Sequence, residues 1–188
     1  MNTPRYRTAA SLAFALLLVA AAPDAPPEPA GYRMEDYRSA TPATLRGASV
    51  LSTSEAHARW EEHDAAFIDV LPQAPRPAGL PASTIWRDKP RDDIPGSVWL
   101  PDTGYGALAP VMEHYFAEGL AQASGGSHDR MLVFYCQANC WMSWNAAKRA
   151  IAIGYTHVAW YPDGTDGWVA DHLPLQRRLP PQRPQAAE

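Results

Sequence analysis

The sequence predicts an α/β domain with a central, mainly parallel sheet flanked by helices. Three observations carry that expectation. Short apolar runs of strand length recur along the chain, segments with helical spacing of apolar residues lie between them, and caps, prolines and glycines fall at the boundaries. Residues 48–52 ("ASVLS") and 65–71 ("AAFIDVL") are apolar runs suited to buried strands, and "SEAHARWEEH" (54–63) between them follows a Ser/Thr cluster that can cap a helix. "SVWLP" (97–101) reads as a further strand. "PVMEHYFAEGLAQA" (110–123) opens on proline at a first helical position and spaces Met112, Tyr115, Phe116, Gly119 and Leu120 along one helical face. A strand "MLVFYC" (131–136) comes next, followed by a helix opening near Ser143 with Gly154 as its stop, and by a strand "HVAWY" (157–161).

Around this body the composition changes. The first residues carry Arg5 and Arg7 and then an uncharged, alanine-rich apolar run that ends in small residues, the layout of a cleaved secretory signal over 1–22. The run is short for a membrane span, so no stable anchor is expected after cleavage. Residues 23–47 begin with a proline-rich stretch and read as an N-terminal extension or linker, 48–175 as the domain, 72–95 as a proline-rich insert within it, and 176–188 as a flexible C-terminal tail. The formal net charge is −4, and it becomes −6 once Arg5 and Arg7 leave with a segment that holds no acid. An acidic exported domain has no electrostatic reason to bind nucleic acid.

The chain has two cysteines, Cys136 and Cys140, in "LVFYCQANCWMSW". At 188 residues the chain can bury a core without staples, so the pair is not a folding framework. Cys136 ends a buried strand, and the loop 137–142 leads into a helix N-terminus, whose partial positive charge favours a thiolate. Several readings are open. Cys136 can be a nucleophile and Cys140 its resolving thiol, the two can form a dithiol/disulfide couple, or they can be a passive bridge, which gains little because so small a ring removes little chain entropy. Metal binding is the other class. Two soft thiolates with Met142 or a histidine as third ligand suit Cu(I), zinc would need two more ligands, and Trp141 stands where a c-type haem motif has its axial histidine.

From 131 to 175 the order of strand and cysteine ("LVFYC"), short loop, alanine-containing helix, strand, tryptophan-bearing glycine turn ("YPDGTDGW") and "HLPL" resembles the rhodanese-like domain. Upstream, "AAFIDV" and "DDIPGSVWLP" look like that family's second-strand aspartate segment and its isoleucine-proline-glycine segment. The resemblance implies a rhodanese-like three-layer fold. It also implies that Cys136 is the catalytic cysteine, attacking a donor's outer sulfur and holding it as a persulfide. The loop amides of Gln137, Ala138, Asn139, Trp141, Met142 and Ser143 are expected to support the sulfur anion. The strings "CWMSWNAAKRA" and "WYPDGTDGW" are similar to an exported group within this family, named for a cysteine pair followed by tryptophan (CXXCW) and associated with catabolism dependent on pyrroloquinoline quinone (PQQ). That similarity implies a periplasmic protein attached to PQQ-dependent alcohol oxidation. Its partners would be a small-molecule sulfur donor or a periplasmic redox protein, possible company for a PQQ-dependent dehydrogenase system. The loop departs from the family pattern: Asn139 stands where glycine is usual, Trp141 and Met142 where arginine closes the loop, and Cys136 to Gly154 is one residue longer than usual. It therefore offers no cation to a thiosulfate dianion. The second reading is a non-catalytic accessory protein that binds Cu(I), a cofactor or a partner in the same pocket.

The remaining candidates have supporting roles. Asp69, ending "FIDV", is expected to order a loop by accepting backbone hydrogen bonds. Asp163 and Asp166 in "DGTDG" read as a tight turn, since the spacing is not that of an EF-hand. Trp144 is expected under the helix in the core and Trp141 over the sulfur as a shield, the pair being an alternative stacking wall for a planar partner. Trp86, beside Arg87 and Lys89 in the insert, is a candidate lid or docking surface. His172 reads as a surface turn residue.

Overall fold

The computed structural model describes residues 25–81, 83–182 and 184; the predicted signal segment 1–22 lies outside them. The chain forms strands β1 (Ala48–Val50), β2 (Ala65–Asp69), β3 (Arg91–Asp93), β4 (Val98–Trp99), β5 (Met131–Tyr135), β6 (Val158–Tyr161) and β7 (Gln176–Arg178). Its helices are α1 (Thr53–Glu62), α2 (Pro110–Ser124), α3 (Trp141–Ala152) and α4 (Gly164–Ala170). Five strands make one parallel sheet in the order β1-β6-β5-β2-β4. The expected three-layer α/β fold is thus the observed one.

Alternation along β5 shows how the layers arise. Leu132, Phe134 and Cys136 face a core built with Phe116 and Leu120 of α2 and Trp144, Ala146 and Ala147 of α3. Val133 and Tyr135 face the opposite core, with Ala56 of α1 and Trp168 of α4. A strand buried on both faces is apolar at every position, and the run "MLVFYC" has that character. α1 is closed at its start by a reciprocal Ser52/Glu55 capping box. α2 begins on Pro110 and ends at left-handed Gly125.

Several expectations need correction. α3 begins at Trp141, not near Ser143, and Cys140 is its N-cap residue. Ser143 has the composition of a cap, but its hydroxyl donates back to the Cys140 carbonyl and accepts the buried Trp160 indole N–H, so it sits inside the first turn. The "DGTDG" turn is the start of α4. Trp168, fully buried against Trp60 and Phe67, stabilises this short helix by packing that local composition does not encode. The C-terminal segment from 176 is not a loose tail at its start, because β7 pairs antiparallel with β3 from the proline-rich insert. The ladder is held by complementary charges, Arg177 on Asp92 and Arg178 on the fully buried Asp93.

Residues 25–47 form a strap along α3 rather than a free linker. Successive turns of the helix bind it: Trp144 donates its indole N–H to the Thr44 carbonyl, Asn145 exchanges two hydrogen bonds with the Arg33 backbone, and Lys148 reaches the Pro29 carbonyl. Leu45, 2% exposed, anchors the strap in the core. Its prolines disfavour helix and strand, but side-chain donors on α3 satisfy its carbonyls, which no local pattern predicts.

Candidate functional site

Cys136 and Cys140 are joined in a disulfide with their Cα atoms 6.4 Å apart, and both are buried, 0% and 2% exposed. Closing so short a loop needs one left-handed residue. Asn139 supplies it at φ 53°, a conformation asparagine tolerates better than other non-glycine residues, so it does here what glycine does in the family pattern. The two sulfurs sit between the end of β5 and the N-terminus of α3, at the carboxyl edge of the sheet, where ligand sites of open parallel sheets occur.

In this bonded state the amides of Ala138 and Trp141 are turned to partners other than the sulfurs. Ala138 N–H donates to the Asp166 carboxylate at 3.2 Å, and Trp141 N–H to the Tyr37 carbonyl of the strap at 2.9 Å. Gln137 forms an isolated antiparallel bridge with Gly164. Met142 is buried in α3, with its carbonyl packed so closely on Gly104 that a Cβ there would collide. Ser143 bonds within the first helical turn. The Ala138 and Trp141 amides are spent on neighbouring elements because the loop is sandwiched between α4 and the strap.

A cation at the site comes from outside the loop. Arg91 of β3, 9% exposed, donates Nε–H to Asp69 at 2.8 Å and Nη2–H to the Cys136 carbonyl at 3.1 Å and to the Thr165 hydroxyl at 3.1 Å. The Cys136 carbonyl also accepts from Thr165 N–H at 3.2 Å and Thr165 Oγ at 3.3 Å. This threefold anchoring fixes the peptide that carries the sulfur. Gly164 must approach the same peptide; a Cβ there would lie 2.6 Å from the Cys136 oxygen, and its φ of +51° is a strained position for other residues. Asp69 orders its own loop by accepting from Leu71 N–H and orients Arg91 with its second oxygen. Burial pushes its carboxyl up to about 6, with the Arg91 charge opposing the rise.

Trp141, next in sequence to Cys140, is 2% exposed, its indole N–H shared between Ser39 Oγ and the Ala40 carbonyl at 3.1 Å each. Arg33 lies over its ring at 5.2 Å, and Trp144 meets it edge-on at 5.4 Å between centroids. Trp141 and Trp144 thus belong to the buried cluster that also holds both cysteines, with Trp144 fully buried in the core. A cavity of about 630 Å³ opens on the other side of the loop, lined by Gln137, Arg91, Lys89, Leu71, Trp99 and Val169 among others. Gln73 also lines it; its Oε1 is buried with no partner among the described residues. Trp86 is half-buried and bonds to Asp88, away from the cysteines. His172 is an exposed left-handed residue after α4. Among the described residues no cluster of three or more His, Cys, Asp or Glu side chains is placed to hold a metal, and no helix is long and apolar enough to cross a membrane.

The sequence reading missed Arg91, Thr165, Tyr37 and Asn145. One signal was present for Arg91: the strings "RDD" (91–93) and "QRR" (176–178) are complementary in charge, as paired strands require. For the others, the contacts span from 29 to 112 residues and carry no local signature.

The fold and the buried cysteine at the end of its central strand define an α/β domain with a cysteine pair at the carboxyl edge of a parallel sheet. A family model, the rhodanese-like domain, matches residues 52–171, and the chain belongs to that family. Several solved structures are similar to the chain. They include a polysulfide-sulfur transferase from Wolinella succinogenes (19% identity, TM-score 0.44, covering 69% of this chain and 79% of that one). A thiosulfate sulfurtransferase from Pseudomonas aeruginosa is similar over 76% of this chain and 22% of its own, at 16% identity and TM-score 0.47. A 3-mercaptopyruvate sulfotransferase from Escherichia coli is similar over 74% and 57%, at 18% identity and TM-score 0.44. Comparison with curated proteins finds no matching sequence.

Proposed function

We propose that the chain is a periplasmic sulfur-handling thiol protein in which Cys136 takes a sulfane sulfur and Cys140 is the second thiol. The observation that carries this reading is the bond between the two sulfurs: the loop already brings Cys140 to the sulfur that the family resemblance assigns as catalytic. The Cys136 thiolate attacks the outer sulfur of a small donor, the donor's S–S bond breaks, and its remainder leaves with the electron pair. A persulfide then stands on Cys136. The similarity of "CWMSWNAAKRA" to the exported CXXCW group attaches this activity to PQQ-dependent alcohol catabolism, with a periplasmic redox protein or the dehydrogenase system as partner. Copper or cofactor binding without catalysis is the weaker reading, since the bonded pair offers Cu(I) no thiolate ligand in this state.

The test uses reduced Cys140→Ser protein and benzenethiosulfonate, read by intact mass. One added sulfur, lost on reduction and mapping to Cys136, is expected, with none on Cys136→Ser. Free thiols that take up no sulfur in either variant would overturn the reading. Export is checked separately by the N-terminus of the protein from the periplasmic fraction, expected to begin after about residue 22.

A further inference from the structure

We infer that the pair does not pass sulfur to an outside acceptor but reduces it, releasing hydrosulfide and closing the Cys136–Cys140 disulfide. This rests on the sulfur-handling reading above and specifies its product. The structure is then the state that follows release.

The geometry selects this outcome in three ways. The Cys140 sulfur is bonded directly to the Cys136 sulfur, so the loop aims Cys140 at the inner sulfur of a Cys136 persulfide. Attack there expels hydrosulfide, whereas attack on the outer sulfur would expel the Cys136 thiolate. Hydrosulfide is the conjugate base of a stronger acid than an alkyl thiol and is the better leaving group. Second, Cys140 is the N-cap residue of α3 and so lies at the positive end of the helix dipole, although its side chain makes no cap hydrogen bond in the bonded state. The partial positive charge of the helix N-terminus favours the thiolate of a reduced Cys140, the form that attacks. Third, a protein-borne acceptor meets a buried pair. Both cysteines are 2% exposed or less, and the residue after Cys140, Trp141, is fastened to the strap through Tyr37, Ser39 and Ala40. An attacking thiol within the same short loop outcompetes a protein-borne acceptor that must reach a buried sulfur.

The step balances. The Cys136 persulfide and the Cys140 thiolate give one disulfide and one hydrosulfide; the sulfane sulfur gains two electrons, one from each cysteine sulfur. Every turnover therefore consumes one dithiol, which must come from a dithiol reductant that exchanges with the Cys136–Cys140 bond. In a reaction sequence the protein stands between a sulfane-sulfur donor upstream and a thiol-disulfide exchange that resets it.

The experiment is an anaerobic single turnover of the reduced full-length chain, freed of excess reductant, with benzenethiosulfonate. Hydrosulfide and benzenesulfinate are quantified and the intact mass is read with and without alkylation. One hydrosulfide per chain is expected, together with loss of both alkylatable thiols, while Cys140→Ser retains its sulfur and releases none. Wild type that keeps a stable persulfide, with Cys140→Ser loaded as well, would overturn the reductive step and leave the sulfur-handling reading intact. Failure of both proteins to take up sulfur would overturn both.

Discussion

Arg91 and Cys136 are 45 residues apart, yet the guanidinium of the first donates to the carbonyl of the second at 3.1 Å while its Nε is held by the buried Asp69. One side chain thus ties the ends of β2 and β5 and the start of α4 into a single frame for the sulfur. Arg91→Met keeps the stem and removes the charge, leaving Asp69 buried and unpaired. A loss of about 3–5 kcal/mol in urea unfolding is expected. The loss should be smaller in an Asp69→Asn background; equal losses in both backgrounds would show that the two groups do not act as a unit.

The same carboxylate makes stability depend on pH. Its folded-state pKa is raised from 3.8 to about 6. Between those values the folded chain keeps a proton that the unfolded chain releases, so this group's contribution to stability is lost as pH rises through that window. The stability of wild type minus that of Asp69→Asn should fall by roughly 3 kcal/mol from pH ~4 to ~7. A flat difference across the window would contradict the assignment.

Trp141 ties the residue after the disulfide to the strap. Trp141→Phe removes the indole N–H that binds Ser39 and Ala40, at a cost of about 1 kcal/mol. The rate at which limiting phosphine exposes alkylatable thiols should rise, and rise further in a chain lacking residues 25–40. An unchanged rate in both would show that the strap does not cover the sulfurs.

The β3–β7 clasp predicts a contrast between neighbours. Arg178 pairs with Asp93, which is fully buried, whereas Arg177 pairs with half-exposed Asp92. Arg178→Ala should cost about 3 kcal/mol by leaving a buried carboxylate without its cation, and Arg177→Ala less than about 1 kcal/mol. Melting temperatures of the two variants check this, and equal shifts would argue against the ladder.

Gly164 admits no side chain beside the Cys136 peptide. Gly164→Ala is expected to destabilise the chain by about 3 kcal/mol and to alter the reactivity of the cysteines. Wild-type stability with unchanged alkylation would mean that the peptide is not held as described.

Much of this protein is written in local patterns. The alternation of apolar strands and capped helices determined the parallel α/β class, because burial on both faces demands continuous apolar runs and capping acts within a turn or two. The position of Cys136 at the end of the central strand, with a second thiol four residues on, was equally legible. Only the tertiary structure decided what surrounds those sulfurs. The start of α3 at Trp141 depends on Ser143 being claimed by Trp160, the direction of the loop amides on Tyr37 and Asp166, and the cation on a clasp between an insert and the C-terminal segment. Each is a hydrogen bond or ion pair between residues distant in sequence, formed because buried polar groups must find partners and satisfied by whichever element packs nearest.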